Sequence, residues 1–275
     1  MAKDLRVTRR NAAFQQWQAL LTSRSKRQRA GEFLVQGVRS IQLAVEHGWP
    51  MHSLLYELGR PLSGWASGML DRAGAQRVSM SADLLAELSG KDEELPELLA
   101  VVGLPADDLD RIPVDRSFLG VVFDRPTGPG NIGTLVRSVD AFGGAGVIVT
   151  GHAADPYDPK AVRASTGSLF AVPVVRERSH LEVLEWVARL RKDGLPVTVV
   201  GTDEQGETDL ADHDLTGPSL LVIGNETAGL STGWRKACDT MVRIPITGSA
   251  SSLNAASAAT VMLYEAARQR AASVR

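Results

Sequence analysis

Apolar residues recur along this chain in two rhythms. In "EFLVQG" (32–37), "MHSLLYE" (51–57), "QRVSM" (76–80) and "LLAVVGL" (98–104) they run nearly unbroken for the length of a short strand. Between those runs they recur every third or fourth residue, as in "VRSIQLAVEHG" (38–48), residues 64–74 and "SADLLAEL" (81–88). The second rhythm predicts helices, the first of them stopped at Gly48 and the last capped by Ser81. Strands alternating with helices predict a small α/β domain over 31–113. The charged, proline-interrupted segment "PADDLDRIPVDR" (105–116) marks a domain boundary.

Beyond it the strand runs strengthen: "FLGVVFD" (118–124), "GVIVTG" (146–151), "LPVTVVGTD" (195–203), "SLLVIGNE" (219–226) and "MVRIPI" (241–246). Continuous Val, Ile and Leu of this kind suit parallel strands covered on both faces, and 114–275 is expected to be a second α/β domain. In the helix after "GPGNIG" (128–133), Ile132, Leu135, Val136, Val139 and Phe142 share one face. Arg137 lies on the opposite face and Asn131 at the helix entrance. Near the C-terminus, between Gly248 and Thr260, only Leu253 and Asn254 are larger than Thr. Such a tract is either a flexible linker or a place where backbone approaches backbone or ligand.

Composition changes this picture little, and the distribution of charge changes it more. A 44% hydrophobic content is ordinary for a chain with a real core. Cys238 is the single cysteine, which excludes an internal disulfide framework. "MAKDLRVTRRNAAF" has no apolar run of secretory-signal length, and no segment reaches the ~18 apolar residues of a membrane span. A cytoplasmic protein, away from membranes, is the expectation. Net charge is −2, yet residues 1–30 hold eight basic residues against Asp4 alone, leaving −9 elsewhere. They are Lys3, Arg6, Arg9, Arg10, Arg24, Lys26, Arg27 and Arg29. A basic arm meeting a polyanion fits this asymmetry, and so does a solvated helix face. Phe14 and Trp17 between the clusters are candidates for stacking on unpaired bases, or for burial in the first domain.

Three loops leave what should be the C-terminal edge of the second sheet: "GTDEQGE" (201–207), "GNETAGLS" (224–231) and "TGSASSLN" (247–254). Ligands of open α/β sheets bind at that edge. Small residues there offer backbone groups to a flat polar ligand, and the absence of a phosphate-loop lysine disfavours a triphosphate. "GPGNIG" satisfies the dinucleotide pattern literally, so a nicotinamide-dependent enzyme is one alternative. Pro126 and Pro129 interrupt the tight turn that pattern needs, and no acidic residue ends the next strand. None of the five histidines pairs at metal-ligand spacing, so no metal site is expected.

"FDRPTGPGNIGTLVRSVDAFG", "LLVIGNETAGLS" and "IPITGSASSLNAASAATVMLYEAAR" resemble, in order and spacing, the three motifs of the SpoU/TrmH (SPOUT) family of RNA ribose 2′-O-methyltransferases. "GEFLVQGVRSIQLAVEHGWP" is similar to that family's L30e-like substrate-binding domain. After the basic arm 1–30 that the charge pattern marks, the resemblance implies an L30e-like domain 31–113 and a SPOUT domain 114–275 with a parallel sheet and a deep C-terminal trefoil knot. It implies S-adenosyl-L-methionine as cofactor, RNA (23S rRNA first) as substrate, and homodimers through the knot region. Resistance to a ribosome-targeting antibiotic is one purpose it leaves open; a non-catalytic RNA-binding module is the other alternative. Matched motif to motif, Asn131, Arg137, Glu226, Ser252 and Asn254 take the polar active-site positions. Gly201, Thr202, Gly224, Ile244 and Leu253 take those bordering the cofactor. Asn225 stands where many members carry serine.

Overall fold

The N-terminal basic segment is not an unattached arm. In the computed structural model, which describes residues 4–90 and 95–273, Leu5–Val7 form strand β1, Ala12–Thr22 helix α1 and Arg24–Ala30 helix α2. Asn11 caps α1 by accepting from the Phe14 N–H. Phe14, Trp17 and Leu20 then fall on one face and enter the core, where Trp17 is 6% exposed and Phe14 fully covered. Of the two roles open to these aromatics, burial is the one observed, and base stacking is excluded for them.

The basic residues separate likewise. The Arg27 guanidinium is buried, donates to the Leu20 carbonyl at 2.6 Å and lies 3.7 Å from Asp158. Arg10 pairs with Glu87. Arg6, Arg9, Lys26 and Arg29 are exposed, and Lys3 lies outside the described residues.

The chain continues through β2 (Glu32–Gln36), α3 (Val38–Glu46), β3 (Met51–Glu57), α4 (Gly64–Arg72), β4 (Gln76–Met80), α5 (Ala82–Ser89) and β5 (Leu99–Gly103). These strands join β1 in one mixed sheet of order β1-β4-β3-β5-β2, with β5 antiparallel to both neighbours. Leu34, Leu55, Val78 and Val101 from the sheet meet Leu84, Leu85 and Leu88 of α5. Every strand and helix expected over 31–104 is present.

The chain divides into two units, Met1–Pro105 with Tyr157–Ala171, and Ala106–Pro156 with Val172–Arg275. The sequence suggested one unbroken domain from 114. Instead, the segment carrying α7 (Pro159–Ala164) and α8 (Ser168–Ala171) packs within the first unit. The reason is aromatic: Tyr157 lies 5.0 Å from Phe33, and Phe170 lies 5.1 Å edge-on to Trp49, whose indole N–H donates to the Phe170 carbonyl.

The second unit holds β6 (Leu119–Asp124), α6 (Pro129–Ala141), β7 (Gly146–Thr150), β8 (Val174–Glu177), α9 (His180–Lys192), β9 (Thr198–Thr202) and β10 (Thr208–Asp209). It ends with β11 (Ser219–Ile223), α10 (Thr232–Ala237), β12 (Thr240–Arg243) and α11 (Ala255–Ser273). All six strand pairings are parallel, in the order β10-β12-β9-β11-β6-β7-β8. β6, β7 and β11 are buried along their whole length, as their unbroken apolar runs require. The short strands β8 and β10 had no such run, and β12 stops at Arg243 rather than at Ile246.

The order places β12 between β9 and β10, so the connection from β9 through β10 to β11 spans the strand that follows it. Backbone meets backbone there. A Cβ on Gly206 would lie 2.4 Å from the Val242 carbonyl carbon and 2.7 Å from the Arg243 nitrogen. Of the small-residue tract, Ala255, Ala256 and Ala259 are buried in α11, which packs on α6. Residues 247–254 are exposed, and a Cβ on Gly248 would meet nothing within 4 Å. The close crossing therefore sits at Gly206, not at Gly248–Ser251.

Candidate active site

Four neighbouring strands, β6, β11, β9 and β12, end at one edge of the parallel sheet, with Val222 beside Gly201 and Val242 beside Thr202. The loops that leave β9, β11 and β12 line a cavity of about 520 Å³. Ile223, Ile244, Ile246 and Leu253 supply apolar wall, and Thr202, Asp203, Glu226 and Ser252 polar wall. The loop after β11 is held by Asn225. Its Oδ1 accepts from the Thr227 and Ala228 N–H groups at 2.8 and 3.0 Å, and its Nδ2 donates to the Arg125 carbonyl at 2.6 Å. Three bonds explain why asparagine serves at this position: its amide donates and accepts at once.

Glu226 is the hub of the polar rim. Its Oε1 accepts from Asn131 Nδ2 at 2.8 Å, and its Oε2 from the Thr127 N–H and hydroxyl, both at 3.2 Å. Asn131 in turn accepts from Asn254 Nδ2 at 3.3 Å. The Asn254 Oδ1 caps α11 by accepting from the Ala256 and Ser257 N–H groups. Burial pushes the Glu226 carboxyl up, but the bonds from Asn131 and Thr127 and its own backbone outweigh burial, and it sits below its ordinary range. Glu226 is thus an ionised acceptor at neutral pH.

Three of the five expected polar residues, Asn131, Glu226 and Asn254, form one hydrogen-bonded chain, of which Glu226 lines the cavity together with Ser252. Arg137 does not join them. Six residues beyond Asn131 on α6, it points about 240° around the helix axis. It is exposed and makes no hydrogen bond or ion pair among the described residues.

Of the expected cofactor positions, Thr202, Gly224, Ile244 and Leu253 line the cavity. Gly201 does not. A Cβ there would strike Met241 Sδ at 2.7 Å and Cys238 Sγ at 2.8 Å, so this glycine serves packing behind the wall. Burial pushes the neighbouring Cys238 thiol up to about 12.

Sequence reasoning missed Thr127, Asp124 and Arg125. Asp124 is 3% exposed and accepts from the Ser231 N–H at 2.8 Å. Arg125 adopts φ 53° and donates to the Gly229 carbonyl at 3.1 Å. Left-handed backbone in a long side chain is strained, and here it ties the β6 loop to the β11 loop. The signal for this turn in the sequence is the proline-flanked "RPTGP" between β6 and α6.

The dinucleotide alternative fails on this geometry. The N-terminus of α6, where a pyrophosphate would sit, is occupied by the Glu226 carboxylate. Its Oε1 lies 3.7 Å from where a Gly128 Cβ would stand.

Residues 119–264 match the SpoU rRNA Methylase family, and residues 11–100 match the SpoU L30e-like domain. The 23S rRNA (uridine(2479)-2′-O)-methyltransferase of Streptomyces viridochromogenes is 62% identical over 265 residues, covering 96% of this chain and 92% of that one. The crystal structure of the SpoU methyltransferase AviRb from the same organism, in complex with the cofactor AdoMet, superposes with a TM-score of 0.92. That match has 62% identity and covers 95% of this chain and 99% of the other. The AdoMet-bound rRNA methyltransferase of Sinorhizobium meliloti superposes with a TM-score of 0.85 at 28% identity, over 96% and 98% of the two chains. The chain belongs to the SpoU rRNA methylase family.

Proposed function

We propose that this protein transfers a methyl group from S-adenosylmethionine to a ribose 2′-hydroxyl of 23S rRNA. The observation that carries the reading is the joining of a small-molecule cavity to the Glu226–Asn131–Asn254 chain at one sheet edge. The cavity fits the cofactor: about 520 Å³ lies within the usual range for such ligands, with apolar wall for a purine beside the polar residues Thr202, Asp203, Glu226 and Ser252. When bound, the cofactor supplies an electrophilic methyl. The chain's own task is to place and activate the hydroxyl.

Glu226 fixes Asn131, and Asn131 fixes Asn254, so the amides facing the rim are pre-oriented and need no rearrangement during reaction. Both Glu226 oxygens are engaged and the group is ionised, which gives it a positioning role. A guanidinium is a donor that keeps its charge and is unsuited to act as a base, so the role of Arg137 is to hold an RNA phosphate and favour developing negative charge on the 2′-oxygen.

The same reading includes a trefoil knot, supported by the place of β12 inside the β9–β10–β11 connection and by the Gly206 close approach. It includes a homodimer through the C-terminal region. Val261, Tyr264, Leu253 and Ile246 are between 38% and 55% exposed there, and a covered face is what such residues fit. RNA is held by the L30e-like unit, with Arg6, Arg9, Lys26 and Arg29 as phosphate contacts. The protein works in the cytoplasm, without a metal. Among the described residues no helix is long and apolar enough to cross a membrane.

Calorimetry with S-adenosylhomocysteine and with NAD tests the cofactor, and binding of NAD alone would overturn the reading. Mapping of 2′-O-methyl groups on 23S rRNA from cells with and without the protein tests the substrate. Antibiotic sensitivity of the same cells tests whether resistance is the purpose.

A further inference from the structure

One ion pair in the cavity wall belongs to none of the motif positions. Asp203, directly after β9, pairs through Oδ2 with Arg235 in the last turn of α10, and both line the cavity. Asp203 is fixed by its backbone, which donates to the Val242 carbonyl at 3.0 Å, and its Oδ1 accepts from the Gln205 N–H at 3.0 Å. Arg235 brings five N–H donors, and the pair with Asp203 is its single side-chain ion pair among the described residues. Half-exposed toward the cavity, the guanidinium has donors to spare, and so exposed a pair contributes little to stability. A carboxylate and a guanidinium side by side complement a zwitterion, an ammonium beside a carboxylate, better than they complement a neutral sugar or a purine.

We infer that Asp203 and Arg235 bind the amino-acid end of the cofactor, Asp203 taking the α-ammonium and Arg235 the α-carboxylate. The inference rests on the proposed use of S-adenosylmethionine. Placement supports it. Arg235 Nη2 lies 3.5 Å from where a Gly229 Cβ would stand, and Gly229 closes the loop that carries Glu226. The amino-acid end is bonded to the same sulfur as the methyl, so it must lie near that rim. The purine, further from the sulfur, is left the apolar wall of Ile223, Ile244 and Leu253.

The test is calorimetry of the full chain with S-adenosylhomocysteine and with 5′-methylthioadenosine, which keeps the adenosine and lacks the amino-acid end. The wild type should bind the first more tightly, and Arg235→Gln should lose ~10–100-fold for it while binding the second unchanged, as expected for charge-assisted bonds. Asp203→Asn should move the same ratio in the same direction. A wild-type preference that survives both substitutions overturns the assignment, as does equal weakening of both ligands. Binding of neither ligand by folded wild type would overturn the cofactor reading itself, and this inference with it. A melting curve accompanies each variant, and where one fails to fold the other variant and the wild-type ratio decide.

Discussion

Gly224→Ala adds one methyl group at the point where the β11 loop turns into the cavity. The new Cβ would stand 2.4 Å from the Gly229 carbonyl carbon, 2.5 Å from the Leu230 nitrogen and 2.8 Å from the Gly229 Cα. Carbon atoms pack at about 3.5–4.0 Å, so the loop must move by roughly 1 Å, and its neighbours here are backbone, which cannot rotate aside. Overpacking of this kind costs ~1–3 kcal/mol, or roughly 2–12 °C in melting temperature for a chain of this size. The displaced residues include Glu226 and the cavity-lining backbone. Misplacement by ~1 Å can lower the methyl-transfer rate by ~10²-fold. Gly248→Ala is the matched control, since its Cβ would meet nothing within 4 Å. Differential scanning calorimetry and titration with S-adenosylhomocysteine read out both variants. If Gly224→Ala melts and binds as the wild type does, or if Gly248→Ala suffers equally, the account of close backbone approach is wrong.

Arg137→Ala should leave S-adenosylhomocysteine binding intact and slow single-turnover methyl transfer by ~10²–10³-fold, the usual loss for one charge-stabilising donor; near-normal turnover would remove it from the mechanism. Glu226 has a lowered folded pKa, so its stabilisation is complete above its ordinary value of 4.5 and lost as pH falls through the lower folded value. Melting curves of wild type and Glu226→Gln should therefore converge in acid and separate toward neutrality; a constant gap would contradict this. Trp17→Ala should cost ~3–5 kcal/mol of stability as a core truncation, whereas Lys26→Ala with Arg29→Ala should leave melting unchanged and flatten the salt dependence of rRNA binding in filter assays. The Cys238 thiol, pushed up to about 12 by burial, should resist a thiol reagent at pH 8 until the protein is denatured.

The central strands of both units were legible because each carries its burial in its own residues: β6, β7 and β11 are apolar throughout and buried throughout. β8 and β10 were not, because four and two residues carry too little pattern to register, and they form only against neighbours already in place. The same limit hid Tyr157 and Phe170, whose partners Phe33 and Trp49 lie more than a hundred positions away. In the basic segment, Trp17 stands among charges that leave stacking and burial equally open, yet its spacing with Phe14 and Leu20 is that of an apolar helix face. At the site, motif order located Asn131, Glu226 and Asn254. Their mutual bonds, and the part played by Thr127 from within a proline-flanked turn, depend on loops meeting across the sheet. Arg137 matched by position, and one chain leaves it exposed, away from the residues it was expected to join.

The most direct measurement is transfer of a labelled methyl group from S-adenosylmethionine to a 23S rRNA transcript by the purified protein, followed by digestion to nucleosides. The account predicts label in one 2′-O-methyl nucleoside, at a single site that resists alkaline cleavage. Label on a base, or no transfer to RNA by a folded protein that binds the cofactor, would contradict it.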